Sequence, residues 1–268
     1  MAGEPPIWLI GCGAMTGAML RGWLDAGRPA SRFTVIDPNV IELPDGVARA
    51  DAPPAAGFGH AIVQLGVKPQ MLDEVAPGLA PLTGDETVIV SIMAGVEIAS
   101  LRRRFPDAAA IVRVMPNLAA ALRTAAIGLV SDRPGSAETR AVCALAAELG
   151  AVESIDERHF DLVTALAGST PAFVYRFIDA LAEAGAALGL DREQALRLAV
   201  ATVDGAASLA AASAESPGAL ADRVASPGGT TRAGLDVLDR DDALNRLVHE
   251  TIEAAMRRGG EMAAASRR

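Results

Sequence analysis

The first half of the chain alternates short apolar runs with amphipathic helical patterns. The apolar runs are near-continuous, which is typical of parallel strands buried on both faces. We predict strands over 7–10, 33–36, 61–67, 87–92 and 111–115, with helices over 15–26, 71–79 and 97–105. Edge strands over 128–130 and 151–155 are expected around a helix over 137–149. This order predicts an α/β fold with a parallel sheet covered by helices.

From about Asp156 onward, helical periodicity dominates the pattern. Helices are predicted over 157–167, 171–188, 192–212 and 217–224, followed by one long run over 232–265. Asp191 is placed as an N-cap and Gly189 as a helix stop. The pattern therefore predicts two domains, a sheet domain over 1–160 and an all-helical domain over 161–268.

The composition narrows the class of protein. The 268 residues are 51% hydrophobic, yet no uninterrupted apolar run is long enough to cross a bilayer. A net charge of −9 argues against a nucleic-acid partner. The N-terminal sequence lacks the basic start and the cleavage site of a signal peptide, so we expect a cytoplasmic protein. The two cysteines are not expected to form a disulfide, and no metal-ligand spacing is found, so no metal is predicted.

A glycine loop directly follows the first predicted strand and leads into the first predicted helix. Its residues are Gly11, Cys12, Gly13, Ala14 and Met15. In this position a pyrophosphate rests on the helix N-terminus, where side chains would block its approach. Thr16 stands where the pattern has a third glycine or alanine. The loop predicts a Rossmann-type dinucleotide-binding domain, and a glycine turn without a ligand is the alternative.

An acidic residue, Asp37, stands at the end of the second predicted strand. A carboxylate there accepts hydrogen bonds from the adenosine ribose hydroxyls and repels a 2′-phosphate. Asp37 therefore favours NADH over NADPH, with use of both left open. The alternative is that it caps the turn before Pro38.

A Ser-Pro-Gly-Gly-Thr-Thr segment precedes the last predicted helix. Its residues are Ser226, Pro227, Gly228, Gly229, Thr230 and Thr231. Proline and paired glycines permit a tight bend with close backbone approach. The unpaired N–H groups at the start of a helix suit a small carboxylate. Taken alone, the segment is an ordinary turn between helices.

Together with the glycine loop, this segment resembles the signature of the pyrroline-5-carboxylate reductase family, which makes proline by reducing a cyclic imine. Other segments resemble that family in the same order along nearly the whole chain, over 63–70, 91–95, 113–117, 166–173, 189–195 and 202–206. The chain departs from the family pattern at Leu118, Thr124, Thr170 and Phe173.

The resemblance implies a set of site residues. The cofactor, NADH or NADPH, would contact the glycine loop and Asp37, and further residues at the strand ends: Val67, Lys68, Pro69, Ala94, Gly95 and Asn117. The substrate would be held by Ser226, Gly228, Gly229, Thr230 and Thr231. Thr231 would hydrogen-bond the ring nitrogen. The resemblance also implies a helical dimerisation domain and a homodimer or larger homo-oligomer.

Other classes of protein match parts of the pattern. β-Hydroxyacid dehydrogenases share the domain order but need a lysine in the helical domain, and the only lysine here is Lys68. Lactate-type enzymes need a histidine paired with a carboxylate, for which His60, His159 and His249 offer no convincing partner. A dinucleotide sensor without catalysis stays open because of the departures from the family pattern. The favoured hypothesis is hydride transfer from NAD(P)H to the cyclic imine, giving L-proline.

Overall fold

The chain forms two compact units in the structure, a computed structural model that describes residues 4–40 and 42–266. The first unit extends through Ser169 and includes the chain from Ala254 onward, and the second unit is Thr170–Glu253. The predicted division falls earlier, after residue 160, and the outer ends of the two predicted domains lie outside the described residues.

An eight-stranded sheet forms the centre of the first unit. Its strands are β1 (Ile7–Ile10), β2 (Phe33–Ile36), β3 (Ala48–Arg49), β4 (Ala61–Leu65), β5 (Thr87–Ser91), β6 (Ala110–Met115), β7 (Ala125–Ser131) and β8 (Gly150–Ser154). The strand order is β3-β2-β1-β4-β5-β6-β7-β8. Neighbouring strands are parallel except for β6 and β7, which are antiparallel. The predicted α/β class is confirmed, and a strand lies at each of the seven predicted places. The strand predicted over 128–130 is not an edge strand, however, because β7 pairs with both β6 and β8.

Ten α-helices accompany the sheet in the described residues. They are α1 (Ala14–Asp25), α2 (Leu72–Leu79), α3 (Ile98–Arg104), α4 (Ala137–Ala147), α5 (Phe160–Val163), α6 (Thr170–Ala187), α7 (Arg192–Ala212), α8 (Pro217–Val224), α9 (Thr230–Asp239) and α10 (Ala243–Ser266). A π-helical segment, Thr164–Ser169, joins α5 to α6. The prediction that the second half is helical is confirmed.

The hydrophobic core lies on both faces of the sheet. On one face, Trp23 of α1 is stacked on Phe33 of β2 with ring centroids 5.6 Å apart, and its indole N–H donates to the Leu145 carbonyl of α4. On the other face, Leu72 of α2 and Leu101 of α3 are buried with the inner side chains of β4, β5 and β6. Burial of these strands on both sides explains their near-continuous apolar sequence.

The second unit is helical, and its core is small. Helices α6 and α7 pack through Ala182, Ala195 and Ala199, with Ile178 beside them. The carboxylate of Asp191 accepts the N–H groups of residues 193 and 194 at 3.1 and 3.0 Å, so the predicted N-cap is confirmed.

The long helix predicted over 232–265 is interrupted. It begins earlier, at Thr230, and breaks at Arg240–Asp242, where Asp241 and Asp242 have φ values of 54° and 56°. A left-handed backbone cannot continue an α-helix. The prediction of one continuous helix was therefore wrong at this point.

One helix among the described residues, α7, has the length and composition to cross a membrane. Only 11% of that stretch is buried. Arg197 and Asp204 interrupt its apolar sequence. A single helix of this kind is weak evidence for a membrane span.

Candidate functional site

The glycine loop lies between the end of β1 and the start of α1. Gly11 has φ +85°, and a Cβ there would lie 2.9 Å from the Val67 backbone nitrogen, so the position requires glycine. Gly13 is the N-cap residue of α1, and a Cβ there would meet no described atom within 4 Å. The first intrahelical bond runs from the Gly17 N–H to the Gly13 carbonyl, and no described side chain caps the turn before it. The N–H groups at the start of α1, from Ala14 and Met15 onward, are therefore available to an anion.

Asp37 lies at the end of β2 and binds this loop. Its Oδ2 accepts the Cys12 N–H at 2.7 Å, and its Oδ1 accepts the Asn39 N–H at 2.8 Å. The carboxylate thus caps the turn after β2 and also positions the loop. Each carboxylate oxygen has a second lone pair, so these bonds leave room for a ribose hydroxyl. Burial, and then the charge of Asp37, raise the pKa of the Cys12 thiol, which keeps it protonated near neutral pH.

The other predicted cofactor residues follow the carboxyl ends of neighbouring parallel strands. Val67, Lys68 and Pro69 follow β4, and the Gly66 N–H donates to the Ile10 carbonyl of β1 at 2.8 Å. The chain order reverses between β2, β1 and β4, and α/β sheets bind ligands outside the strand ends at such a point. The structure therefore brings the β4 exit beside the glycine loop.

The exit of β5 is covered in part by the end of α10. Gly95 is buried with φ +71°, and a Cβ there would lie 2.9 Å from both the Met262 Cβ and the Ala263 nitrogen. Neighbouring Ala94 is half-buried. The packing of α10 against Gly95 was not predicted, because no local pattern connects two segments so far apart in the sequence.

Asn117, at the exit of β6, is buried and makes two structural hydrogen bonds. Its Oδ1 accepts the Ala119 N–H at 3.0 Å, and its Nδ2 donates to the Ala167 carbonyl at 3.0 Å. Ala167 belongs to the π-helical segment, and such segments occur often at functional sites. Asn117 therefore connects the end of β6 to the π-helical segment before α6.

Sequence reasoning assigned no role to Arg113, a buried cation on β6. Its guanidinium donates to Glu157 Oε1 at 2.9 Å and lies 3.6 Å from the centroid of the Phe160 ring. The same Glu157 oxygen accepts the Ile98 N–H at the start of α3. Burial lowers the pKa of Arg113, partly offset by Glu157, and the group stays charged at neutral pH. The cluster fixes the segment that leads into α5.

The Ser-Pro-Gly-Gly-Thr-Thr bend joins α8 to α9 in the second unit. The Gly229 N–H donates to the Ser226 carbonyl at 2.9 Å, and Gly228 has φ +69°. Proline followed by a glycine at positive φ is the signature of a type II turn. A Cβ on Gly229 would lie 2.6 Å from the Ser226 Oγ, so the turn and the helix entry both depend on glycine.

The turn delivers the chain to an uncapped helix N-terminus. Gly229 is the N-cap residue of α9, no described side chain caps it, and Thr230 and Thr231 stand exposed in the first helical turn. Arg232 of the same turn pairs with Asp222 of α8 at 2.8 Å, which holds the two helices around the bend. The structure therefore presents free N–H groups and two hydroxyls together, as the sequence predicted.

Comparison with known proteins matches both units to one family. The family model for the pyrroline-5-carboxylate reductase dimerisation domain matches residues 157–262. The chain is 35% identical to pyrroline-5-carboxylate reductase 2 of Bacillus subtilis over 264 residues, covering 96% of this chain and 94% of that protein. The chain belongs to the pyrroline-5-carboxylate reductase family. The resemblance read from the sequence is thereby confirmed.

Further relatives of this family agree with that assignment. The chain is 36% identical to the pyrroline-5-carboxylate reductase of Pseudomonas aeruginosa, with 97% of each protein covered. The crystal structure of Plasmodium falciparum pyrroline carboxylate reductase with NADP bound superimposes with a TM-score of 0.85, at 25% identity and with 97% of this chain covered. As a member of this family, the chain is an NAD(P)H-dependent oxidoreductase that acts on a C=N bond.

Proposed function

We propose that this chain reduces the ring C=N bond of pyrroline-5-carboxylate to give L-proline, with the glycine loop and the Ser226–Thr231 bend as its two binding sites. The observation that carries the proposal is the bend. A type II turn leads into an uncapped helix N-terminus with two exposed threonines, in a chain of this family.

The residues around β1 fit a nicotinamide dinucleotide. The uncapped start of α1 would bind the pyrophosphate, and Gly13 leaves the approach free of a side chain. Asp37 would accept the adenosine ribose hydroxyls. When bound, the reduced nicotinamide supplies the hydride that reduces the ring carbon.

The start of α9 would hold the substrate carboxylate. Its free N–H groups and the helix dipole favour an anion by about 0.3–1 kcal/mol, or up to about 2 kcal/mol in a partly buried geometry. The Ser226 hydroxyl lies beside Gly229 and would add a hydrogen bond. Thr230 would add a second hydroxyl contact. These groups fix one end of the ring.

Thr231 would fix the other end of the ring by hydrogen-bonding its nitrogen. A threonine hydroxyl is a poor Brønsted acid near neutral pH, so its role is to orient the ring rather than to supply the proton. Its hydroxyl accepts a hydrogen bond from the protonated imine N–H. Orientation alone can contribute several kcal/mol, on the order of 7–11 at the extreme.

The cofactor preference and the location are further parts of the proposal. The Plasmodium falciparum relative binds NADP, whereas Asp37 in this chain would repel a 2′-phosphate, so we propose that NADH is preferred and NADPH is tolerated. A cytoplasmic location, without a metal, nucleic acid or membrane as partner, stays a prediction.

A steady-state assay tests the proposed reaction. We expect oxidation of NADH, followed by absorbance, to depend on added pyrroline-5-carboxylate and to yield one proline per NADH consumed. Equilibrium binding of NADH, measured by calorimetry on the same preparation, is the control for a folded cofactor site. NADH binding without imine-dependent oxidation would instead identify a dinucleotide sensor.

The second unit also supports a homodimer. Large apolar side chains are exposed there in the single chain, among them Tyr175 at 62%, Leu198 at 59%, Leu209 at 54% and Leu247 at 63%. Apolar surface on this scale marks an interaction site, and residues 157–262 match a dimerisation domain. A second copy of the chain is the partner that this match supports.

Light scattering coupled to size exclusion tests the assembly. We expect a mass of at least twice 27.4 kDa at micromolar concentration. Leu198→Glu, on an exposed apolar flank of α7, should shift the protein toward the monomer, because a carboxylate cannot be buried there without a partner. Arg197→Glu, on the charged flank of the same helix, is the matched control. A monomeric wild type would contradict the proposal.

A further inference from the structure

Thr16, which replaces the third glycine or alanine of the loop pattern, lies against Gly66 just after β4. Thr16 lies in the first turn of α1, and only 1% of it is exposed. A Cβ placed on Gly66 would overlap the Thr16 Oγ1 and would lie 3.4 Å from the Thr16 Cβ. The threonine side chain therefore occupies the space that a side chain at residue 66 would fill.

Glycine is required at residue 66 for a steric reason and not for its backbone conformation. Its φ lies outside the left-handed region, so an alanine could adopt the same backbone conformation. The same Cβ would also lie 2.7 Å from the Gly11 carbonyl oxygen, and the Gly66 N–H donates to Ile10. The β1 exit, the β4 exit and the first turn of α1 thus meet at this one contact.

The Thr16 hydroxyl is unusual for a buried group. It makes no hydrogen bond to any described residue. A buried hydroxyl without a partner costs stability, so hydrogen bonding does not explain threonine at this position. Instead, the Thr16 side chain fills the space beside Gly66, which has no side chain of its own.

We propose that Thr16 and Gly66 are a size-matched pair that positions the start of α1 for dinucleotide binding. In the usual glycine pattern, a small third residue lets the helix approach the sheet. Here the small residue is on the sheet instead of the helix: Gly66, after β4, leaves room for Thr16 of α1. The pair acts through α1 and the Val67–Pro69 exit, so both residues are positioning residues. This inference rests on the proposed use of the loop for a dinucleotide.

The test is a double-mutant cycle on the full-length enzyme. Gly66→Ala should displace α1 or β4, lower Tm by roughly 3–10 °C and raise the KM for NADH by about tenfold or more, with a smaller change in kcat. Thr16→Ala removes the overlapping Oγ1 and keeps the Cβ. The double variant should therefore recover part of the NADH affinity, with a KM below that of Gly66→Ala alone, while the close approach to the Gly11 carbonyl oxygen remains.

A substitution at a second glycine, Gly150, distinguishes an effect on the position of α1 from a general loss of stability. At Gly150, on the edge strand β8, φ is +152° and a Cβ would lie 2.5 Å from the Ala125 nitrogen. Gly150→Ala should lower Tm without raising the KM for NADH. The proposal is overturned if Gly150→Ala raises that KM as much as Gly66→Ala does, or if Thr16→Ala gives no rescue. If the wild type bound no dinucleotide, the proposed function would fail. A higher Tm in the double variant than in Gly66→Ala alone would still show that Thr16 and Gly66 are matched in size.

Discussion

Thr231→Ala is expected to lower kcat by about 100-fold and to leave NADH affinity unchanged. Thr231 lies in the exposed first turn of α9, next to the N–H groups proposed to hold the substrate carboxylate. Without its hydroxyl, the ring can rotate about that carboxylate, and misplacement by about 1 Å can cost 100-fold in rate. Steady-state kinetics with saturating NADH measures kcat, and calorimetry measures NADH binding.

Two substitutions in the same turn make this expectation specific. Thr231→Ser keeps a hydroxyl and should retain most of kcat. Thr230→Ala should mainly raise the KM for the imine, because Thr230 is proposed to bind the carboxylate rather than the nitrogen. Alanine favours a helix more than threonine does, so loss of folding is not expected to explain the result. Normal kcat in Thr231→Ala would remove Thr231 from the mechanism.

The sheet could be predicted closely from the sequence because its central strands are buried on both faces. Every residue of β4, β5 and β6 is buried, and these strands appear as nearly continuous apolar runs that contain few polar residues. Strand β3, with only Ala48 and Arg49, is exposed and leaves no such pattern. The break at Asp241 and Asp242 was missed for a related reason. It contains neither glycine nor proline, the residues that usually mark the end of a helix in a sequence.

In the candidate sites, too, features formed by neighbouring residues could be predicted, and features formed by residues far apart in the sequence could not. The bend before α9 was predictable, because the order proline, glycine, glycine specifies a type II turn within four residues. The contact of Thr16 with Gly66 was not, because the residues lie 50 positions apart and nothing in either segment points to the other. Arg113 was missed because arginine is rarely buried, and only the fold brings Glu157 and Phe160 to it.

Asp37→Asn is expected to shift the cofactor preference toward NADPH by about fivefold or more in the ratio of kcat/KM values. The Asp37 carboxylate would lie near the 2′ position of a bound adenosine ribose. Two unit charges 4 Å apart repel by about 1 kcal/mol in water and about 4 kcal/mol at the effective dielectric of a protein surface. Since 1.36 kcal/mol corresponds to tenfold, removal of the charge should change the ratio by about 5-fold to 1000-fold. Rates with both nicotinamides measure it.

The ratio of kcat/KM with NADPH to kcat/KM with NADH isolates the repulsion between Asp37 and the 2′-phosphate, which neither value shows alone. Asp37 also accepts the Cys12 and Asn39 N–H groups, so asparagine loses one of two loop contacts and should weaken both cofactors together. That loss cancels in the ratio, whereas the repulsion of a 2′-phosphate does not. Asp25→Asn, at the far end of α1, removes the same net charge and should leave the ratio unchanged. An equal shift in Asp25→Asn, or none in Asp37→Asn, would mean that Asp37 serves the loop alone and does not select the cofactor.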